Sequence, residues 1–235
     1  MWNSEPDLAA IASLVAEPAR AAIVSELFDG RALPAGELAR VARVSPATAS
    51  AHLAKLVDGG LLTVFAQGRH RYYHIASADV AHALETLGAL APRQSVKSLR
   101  GAIRAERLRN ARSCYDHLAG RIAIALATAF VERGVLQRDG DGFRLGANGC
   151  VTLHELGVDY GTIERGDAHI RGCLDWTERR PHIGGALGRA ILDAFLQRGY
   201  FERITERRVL QLTPAGEEML RGFGVVSTQS ETKAG

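Results

Sequence analysis

The sequence predicts a mainly α-helical chain with small β-hairpins, an α+β class, assembled from two folded parts in tandem. Three observations predict it. Apolar residues recur at helical spacing from Leu8 to Leu56, two alternating segments flank Gln67-Gly68, and a helix–hairpin–helix pattern occurs twice in the C-terminal half.

The N-terminal elements follow one another closely. Leu8 to Val15 places apolar residues at i, i+3 and i+4. Glu17-Pro18 opens a second helix through Ile23, Val24 and Leu27, and Gly30 follows its end. Pro34 to Arg43 reads as a third short helix carrying Leu38 and Val41. In Val44-Ser45-Pro46, Ser45 can cap a fourth helix whose first position suits Pro46. That helix puts Ala49, Leu53 and Leu56 on one face, leaves Thr48, Ser50, Ala51, His52 and Lys55 on the others, and ends at Gly59-Gly60. Leu61 to Phe65 and Arg71 to Ile75 then form a β-hairpin with basic residues near its tip. Ala78 to Ala91 is a fifth, apolar helix, stopped by Pro92.

Composition narrows the function classes. No run of about 18 apolar residues exists, which excludes a membrane-spanning helix and leaves no membrane partner expected. The N-terminus has no basic stretch of the kind a signal peptide needs. Three cysteines (Cys114, Cys150, Cys173) are too few for a disulfide scaffold, so a reducing, cytoplasmic location is expected. The motifs GxxxxGK[ST], HExxH and GxSxG are absent, and no enzyme is expected. The net charge of +3 is uneven. Residues 93–112 hold seven basic side chains (Arg93, Lys97, Arg100, Arg104, Arg107, Arg109, Arg112) against Glu106 alone. Such a segment suits a polyanion, an acidic partner surface or a solvated helix face.

Three short helices and a basic hairpin make a winged helix-turn-helix. Here the chain resembles the ArsR/SmtB family of bacterial transcriptional regulators, from about Leu14 to Ile75. The resemblance rests on Ala16-Glu17-Pro18-Ala19-Arg20, Gly36-Glu37-Leu38-Ala39, Val44 to Leu56 followed by Gly60-Leu61-Leu62, and Gly68-Arg69-His70-Arg71-Tyr72-Tyr73. A recognition helix needs short polar side chains near its N-terminus to reach base edges. Ser45, Thr48, Ser50 and His52 are of that type, Lys55 can reach phosphate, and Arg69 and Arg71 on the wing would meet backbone or minor groove. The resemblance implies a homodimer, joined through the fifth helix, on double-stranded DNA with a near-palindromic operator. A winged helix used only for protein contacts is the competing reading, since residues 1–92 carry a net −2. Metal-sensing members of the family place ligands in the third helix, as Cys-x-Cys, or in the C-terminal dimer helix, as Asp and His. Here Glu37 to Arg43 contains no cysteine, and Asp79 and His82 lack the residues that would complete a set.

The C-terminal half repeats itself. Gly120 to Arg138 aligns with Gly185 to Arg203 at an offset of 65, and Leu145 to Val158 with Leu212 to Val225 at an offset of 67. Each copy reads as helix, Arg-Gly stop, hairpin, helix, a winged-helix-like half without a polar recognition helix. Asp139-Gly140-Asp141-Gly142 is turn chemistry. The expected organisation is therefore a DNA-binding and dimerisation domain (1–92), a basic connector helix (93–112), a doubled regulatory domain (113–225) and a disordered tail (226–235).

The repeat extends upstream to a cysteine–histidine constellation. His117 aligns with His182, and each is preceded by Cys-x-Asp: Cys114-Tyr115-Asp116 and Cys173-Leu174-Asp175. On a helix, Cys114 and His117 would face the same way. If the two copies pack about a pseudo-twofold axis, Cys114, Asp116, His117, Cys173, Asp175 and His182 could converge. Three readings stay open: buried packing residues, ligands for Zn(II) or another thiophilic metal, or an oxidisable thiol pair or organic-ligand pocket. Cys150 reads as structural, and His154 and His169 have no recognisable partners. The leading expectation is a homodimeric repressor whose operator affinity answers to an effector in the C-terminal domain. The alternative is an enzyme or ligand-binding protein with an accessory winged helix.

Overall fold

The computed structural model describes residues 5–92, 98–158 and 169–225. Arg93, Lys97 and the tail 226–235 lie outside the described residues. The chain divides into two compact units, 1–81 and 82–235.

The first unit begins with α1 (Leu8–Ala16) and α2 (Pro18–Glu26), followed by β1 (Leu33–Pro34), α3 (Ala35–Ala42), α4 (Pro46–Asp58), β2 (Leu62–Gln67) and β3 (His70–Ile75). Its sheet has the antiparallel order β1-β3-β2, so Leu33-Pro34 adds a strand to the expected hairpin. Ile23, Leu27, Leu38, Leu53, Leu56 and Ile75 are fully or almost fully buried and form its centre. The turn into α4 depends on two local devices. Arg43 adopts a left-handed conformation at the end of α3, and the Ser45 hydroxyl accepts from the Thr48 N–H at 3.1 Å. The second satisfies one of the donors left free in a helix's first turn. Helix α5 (Ala78–Leu90) runs from this unit into the next.

The second unit comprises α6 (Leu99–Asn110) and two copies of one pattern. The first copy is β4 (Arg112–Cys114), β5 (His117–Ala119), α7 (Arg121–Glu132), β6 (Leu136–Asp139), β7 (Gly142–Leu145) and α8 (Gly149–Glu155). The second is β8 (Gly172–Leu174), β9 (Pro181–Ile183), α9 (Gly185–Gln197), β10 (Phe201–Arg203), β11 (Leu210–Leu212) and α10 (Pro214–Gly222). Each copy is thus hairpin, helix, hairpin, helix. Cys114 and His117 lie on a β-hairpin, not on the helix face that their spacing suggests.

The copies are interlocked. The leading hairpin of each packs against the first helix of the other, β5 on α9 and β9 on α7. Each also extends the other copy's second hairpin. Leu210 N–H donates to Ala111 O at 3.1 Å, and Phe143 N–H donates to Ile170 O at 2.8 Å, two bonds at equivalent positions of the repeat. One apolar core serves both copies, with Phe130, Phe143, Phe195 and Phe201 at its centre. A pseudo-twofold exchange of this kind places β4/β5 beside β8/β9.

The basic segment differs from an uninterrupted cationic face. Arg100 and Arg104 on α6 are exposed, but Arg107 pairs with Glu206 at 2.9 Å and Arg109 with Glu178 at 3.2 Å. Arg112 is a strand residue, completely buried.

Candidate functional site

The two leading hairpins have the same register where it matters. Cys114 pairs across the strands with His117, and Cys173 with His182. Residues directly opposite in an antiparallel pair project to the same side of the sheet, so each hairpin offers one thiol and one imidazole together. The interlocked packing turns these two faces toward each other. Cys114 Sγ lies 3.8 Å from Cys173 Sγ, and His117 Nε2 lies 3.1 Å from His182 Nε2. All four ligand atoms fall within 4.8 Å of one another, and all four residues are buried. The thiols are free.

A carboxylate stands behind each histidine. Asp116 Oδ1 is 3.1 Å from His117 Nδ1. His182 Nδ1 has no hydrogen-bond partner and faces Asp175 Oδ2 at 4.0 Å. Asp175 is the hub of this layer. It accepts from Arg112 Nη2 at 2.9 Å, from the backbone N–H groups of Gly120, Thr177 and Glu178, and from the Thr177 hydroxyl at 2.6 Å. Both Asp175 and Arg112 are fully buried. Trp176 covers the guanidinium, 4.5 Å from ring centroid to carbon. Burial would raise the Asp175 pKa, but Arg112 and the Thr177 hydroxyl outweigh it and hold the carboxyl at about 2. Gly120 permits this contact. Its φ is 96° and a Cβ there would meet the Arg109 and Asn110 carbonyl oxygens at 2.8 Å.

The two imidazoles approach so closely that a proton or a cation must lie between their facing nitrogens. Burial pushes the His117 pKa down, but its interaction with Cys114 and its hydrogen bond to the Asp116 carboxylate overcome that and raise it to about 10. His182 is held well below the ordinary value, by burial first and by His117 second. The Cys114 thiol is pushed well up by its hydrogen bond to Cys173 and by burial. Two Nε2 lone pairs cannot face each other at 3.1 Å without a proton or cation between them, since like partial charges in a dry site repel strongly.

The sequence names these residues through the repeat, and the structure brings Cys114, His117, Cys173 and His182 into one group with Asp116 and Asp175 behind them. Reasoning from sequence missed Arg112 and Thr177. A signal for Arg112 was present: Arg112-Ser113-Cys114-Tyr115-Asp116 and Arg171-Gly172-Cys173-Leu174-Asp175 share Arg-x-Cys-x-Asp at an offset of 59. Cys150 is exposed on α8. His169, without partners in the sequence reading, lies 3.2 Å from Asp139 and 3.3 Å from Asp141 at the β6–β7 turn.

In the first unit, Ser45 at the cap of α4 and Thr48, Ser50 and Lys55 on the helix are exposed, and Arg69 and Arg71 are exposed at the β2–β3 tip. Ser50 Oγ is engaged locally, donating to Pro46 O at 2.9 Å. His52 is half-buried. Its ring sits 3.6 Å from Glu17 Oε2 and 3.5 Å from Arg20 Nη1, so it braces α4 against the start of α2. Arg43, exposed at the α3–α4 turn, is a further cation beside the helix start that the sequence reading passed over.

Residues 15–64 match the family described as a helix-turn-helix domain. The HTH-type transcriptional regulator YdfF of Bacillus subtilis is 40% identical over 213 residues, covering 90% of this chain and 94% of that protein. Among solved structures, NolR from Sinorhizobium fredii is 29% identical over 34% of this chain and 79% of that chain, with a TM-score of 0.31. The homodimeric winged helix-turn-helix domain Mb0332 from Mycobacterium bovis is 28% identical over 38% of this chain and 87% of that chain, with a TM-score of 0.32. With a helix-turn-helix domain at its N-terminus and similarity to YdfF along nearly its whole length, the chain belongs to the HTH-type transcriptional regulators, proteins that act on DNA and not as enzymes.

Proposed function

We propose that the protein is a cytoplasmic, homodimeric repressor that reads a near-palindromic operator in double-stranded DNA and changes its affinity when an effector occupies the four-residue cluster of its second unit. The observation that carries this reading is the burial of two thiols and two imidazoles, facing one another, in the unit appended to a helix-turn-helix. Buried polar groups without partners are costly, and His182 Nδ1 is such a group. The exposed polar start of α4 and the wing arginines supply groups suited to base edges and phosphates. Leu87 and Leu90 of α5 are 50% and 76% exposed. Large apolar residues left open on one helix suit packing against a second copy. A dimer presents two recognition helices to major-groove faces about one helical turn apart.

The test is fluorescence anisotropy with the DNA upstream of the protein's own gene, combined with sedimentation to establish the dimer. Thr48→Ala with Lys55→Ala should weaken specific binding by roughly 1–3 kcal/mol for each lost base contact, and more uniformly for the phosphate contact. Arg100→Glu with Arg104→Glu should flatten the salt dependence, by about 0.9 in the log–log slope per lost phosphate contact. Unchanged operator affinity in the α4 variant would remove the recognition-helix assignment.

A further inference from the structure

We propose that Cys114, His117, Cys173 and His182 bind one thiophilic divalent ion of the Zn(II) class in a closed tetrahedral site, and that occupancy of this site is the signal that alters DNA binding. The inference rests on the reading of the cluster as the effector site, and it names the effector's chemistry.

The geometry is the first argument. Zn–S bonds of about 2.3 Å and Zn–N bonds of about 2.0–2.1 Å make the edges of a regular tetrahedron roughly 3.8 Å between sulfurs and 3.4 Å between nitrogens. The corresponding separations are 3.8 Å and 3.1 Å, with every ligand atom within 4.8 Å of the others. The set is therefore spaced for an ion before one arrives. A disulfide would need the sulfurs at about 2.05 Å, and it would leave both imidazoles unused.

The layer behind the ligands is the second argument. A metal-bound histidine commonly donates its other ring N–H to a carboxylate, which fixes the tautomer and turns the remaining nitrogen toward the ion. Asp116 is placed to do this for His117, and Asp175 faces the orphaned Nδ1 of His182. Both Nε2 atoms then point inward, into the same gap as the thiols. Cys2His2 is a borderline-soft donor set, which selects Zn(II)-like ions over Mg(II) or Ca(II). Four protein ligands leave no open position for a reacting water, consistent with a structural or regulatory ion.

The site differs from either place where the family's metal sensors carry ligands, α3 or the C-terminal dimer helix, because its ligands come from four strands of the doubled unit. Its connection to α5 is short. Arg208 donates to the buried carboxylate of Glu85 on α5 and, through Nε, to the Ser113 carbonyl at 3.3 Å. Ser113 is the residue before Cys114. An ion held by Cys114 would fix the strand that carries Ser113, and with it the anchor of this link, and α5 is covalently continuous with the winged unit.

The experiment uses the reduced, chelator-treated full-length protein titrated with Co(II), then with Zn(II) in competition. The expected result is the ligand-field spectrum of a tetrahedral site with thiolate charge transfer, saturating at one ion per chain and erased by Zn(II). Cys114→Ser with Cys173→Ser should abolish the charge-transfer band. If that variant fails to fold, competition between wild type and a chromophoric chelator reads the same affinity without a mutation. Operator binding is measured in parallel, with and without Zn(II), and a 5- to 150-fold change is expected. Glu85→Gln should keep the Co(II) spectrum and shrink that change. A protein with free thiols that binds operator but takes up no Co(II) overturns the metal site and leaves the DNA-binding reading standing. Metal uptake with unaltered operator affinity overturns the signalling role. Failure to bind operator in either state overturns the underlying reading instead.

Discussion

The two hairpins that build the cluster reach the same end by different routes. In the first, Cys114 and His117 are separated only by Tyr115 and Asp116, with Tyr115 at φ 57°. In the second, eight residues separate Cys173 from His182, yet the cross-strand pair is the same. Turn length helps to set hairpin register, and here turns of different length end in the same cross-strand pair. Backbone bonds also join each hairpin to the other copy's second hairpin. The six additional residues serve another purpose. Asp175 folds back on Thr177 and Glu178 within its own turn and crosses to Arg112 and Gly120 of the first copy. Its counterpart Asp116 stays at the edge, bonded to its own His117 and 3.5 Å from Arg189. One half supplies a half-buried carboxylate at the edge; the other supplies the buried centre that holds both halves together.

Removing that centre should have the largest effect. Arg112→Met leaves a buried carboxylate without its cation, and breaking a buried pair in this way costs about 3–5 kcal/mol. Chemical denaturation followed through Trp176, which lies against Arg112, reads the loss. A cost below about 1 kcal/mol would show that the backbone N–H groups alone sustain Asp175.

The helices behind the hairpins repeat the asymmetry. Gly188 of α9 sits where a Cβ would meet Ile183 O at 2.4 Å and His117 Cβ at 3.0 Å, whereas the equivalent residue of α7 is Ala123. Gly188→Ala should destabilise the second unit by about 1–3 kcal/mol through overpacking. Ala123→Gly should cost only roughly 0.5–1 kcal/mol of helix stability. Equal effects in thermal unfolding would contradict the closer approach of α9 to its hairpin.

Asp116→Asn tests the edge carboxylate. It should leave stability nearer to wild type than Arg112→Met does, while lowering Co(II) affinity about 10- to 100-fold, since it weakens the orientation of His117. An unchanged affinity would mean that His117 needs no carboxylate to hold its tautomer. The smallest effect on the cluster is expected outside both hairpins. Ser45→Ala removes the α4 cap and should cost the first unit about 1 kcal/mol, with the Co(II) spectrum unaltered.

Much of this was legible in the sequence. Ser45-Pro46 marks the start of α4 because a hydroxyl cap and a fixed φ are local requirements, and the structure starts the helix there. The offsets of 65 and 67 announce a doubled unit, and repetition of Cys-x-Asp and His singles out six side chains for one place. The hairpin conformation of Cys114 to His117 was not legible. A spacing of three fits one helix face and also fits the residues flanking a two-residue turn, and Tyr115-Asp116 lacks the Asn-Gly signature that would decide between them. His52 likewise has the chemistry of a reading residue, but its ring turns toward Glu17 and Arg20, partners 35 and 32 positions away that no local pattern reveals.

By itself, then, the sequence determined the winged helix-turn-helix, the doubling of the C-terminal half and the identity of the thiols and imidazoles, because caps, periodicity and repetition act over a few residues or recur in register. Only the tertiary structure decided that each hairpin binds the other copy's helix and wing, that Arg112 leaves the cationic helix for a buried partner 63 positions away, and that the four ligand atoms meet. Those outcomes depend on burying one core between two copies, where the free energy lies in contacts between segments distant in the chain.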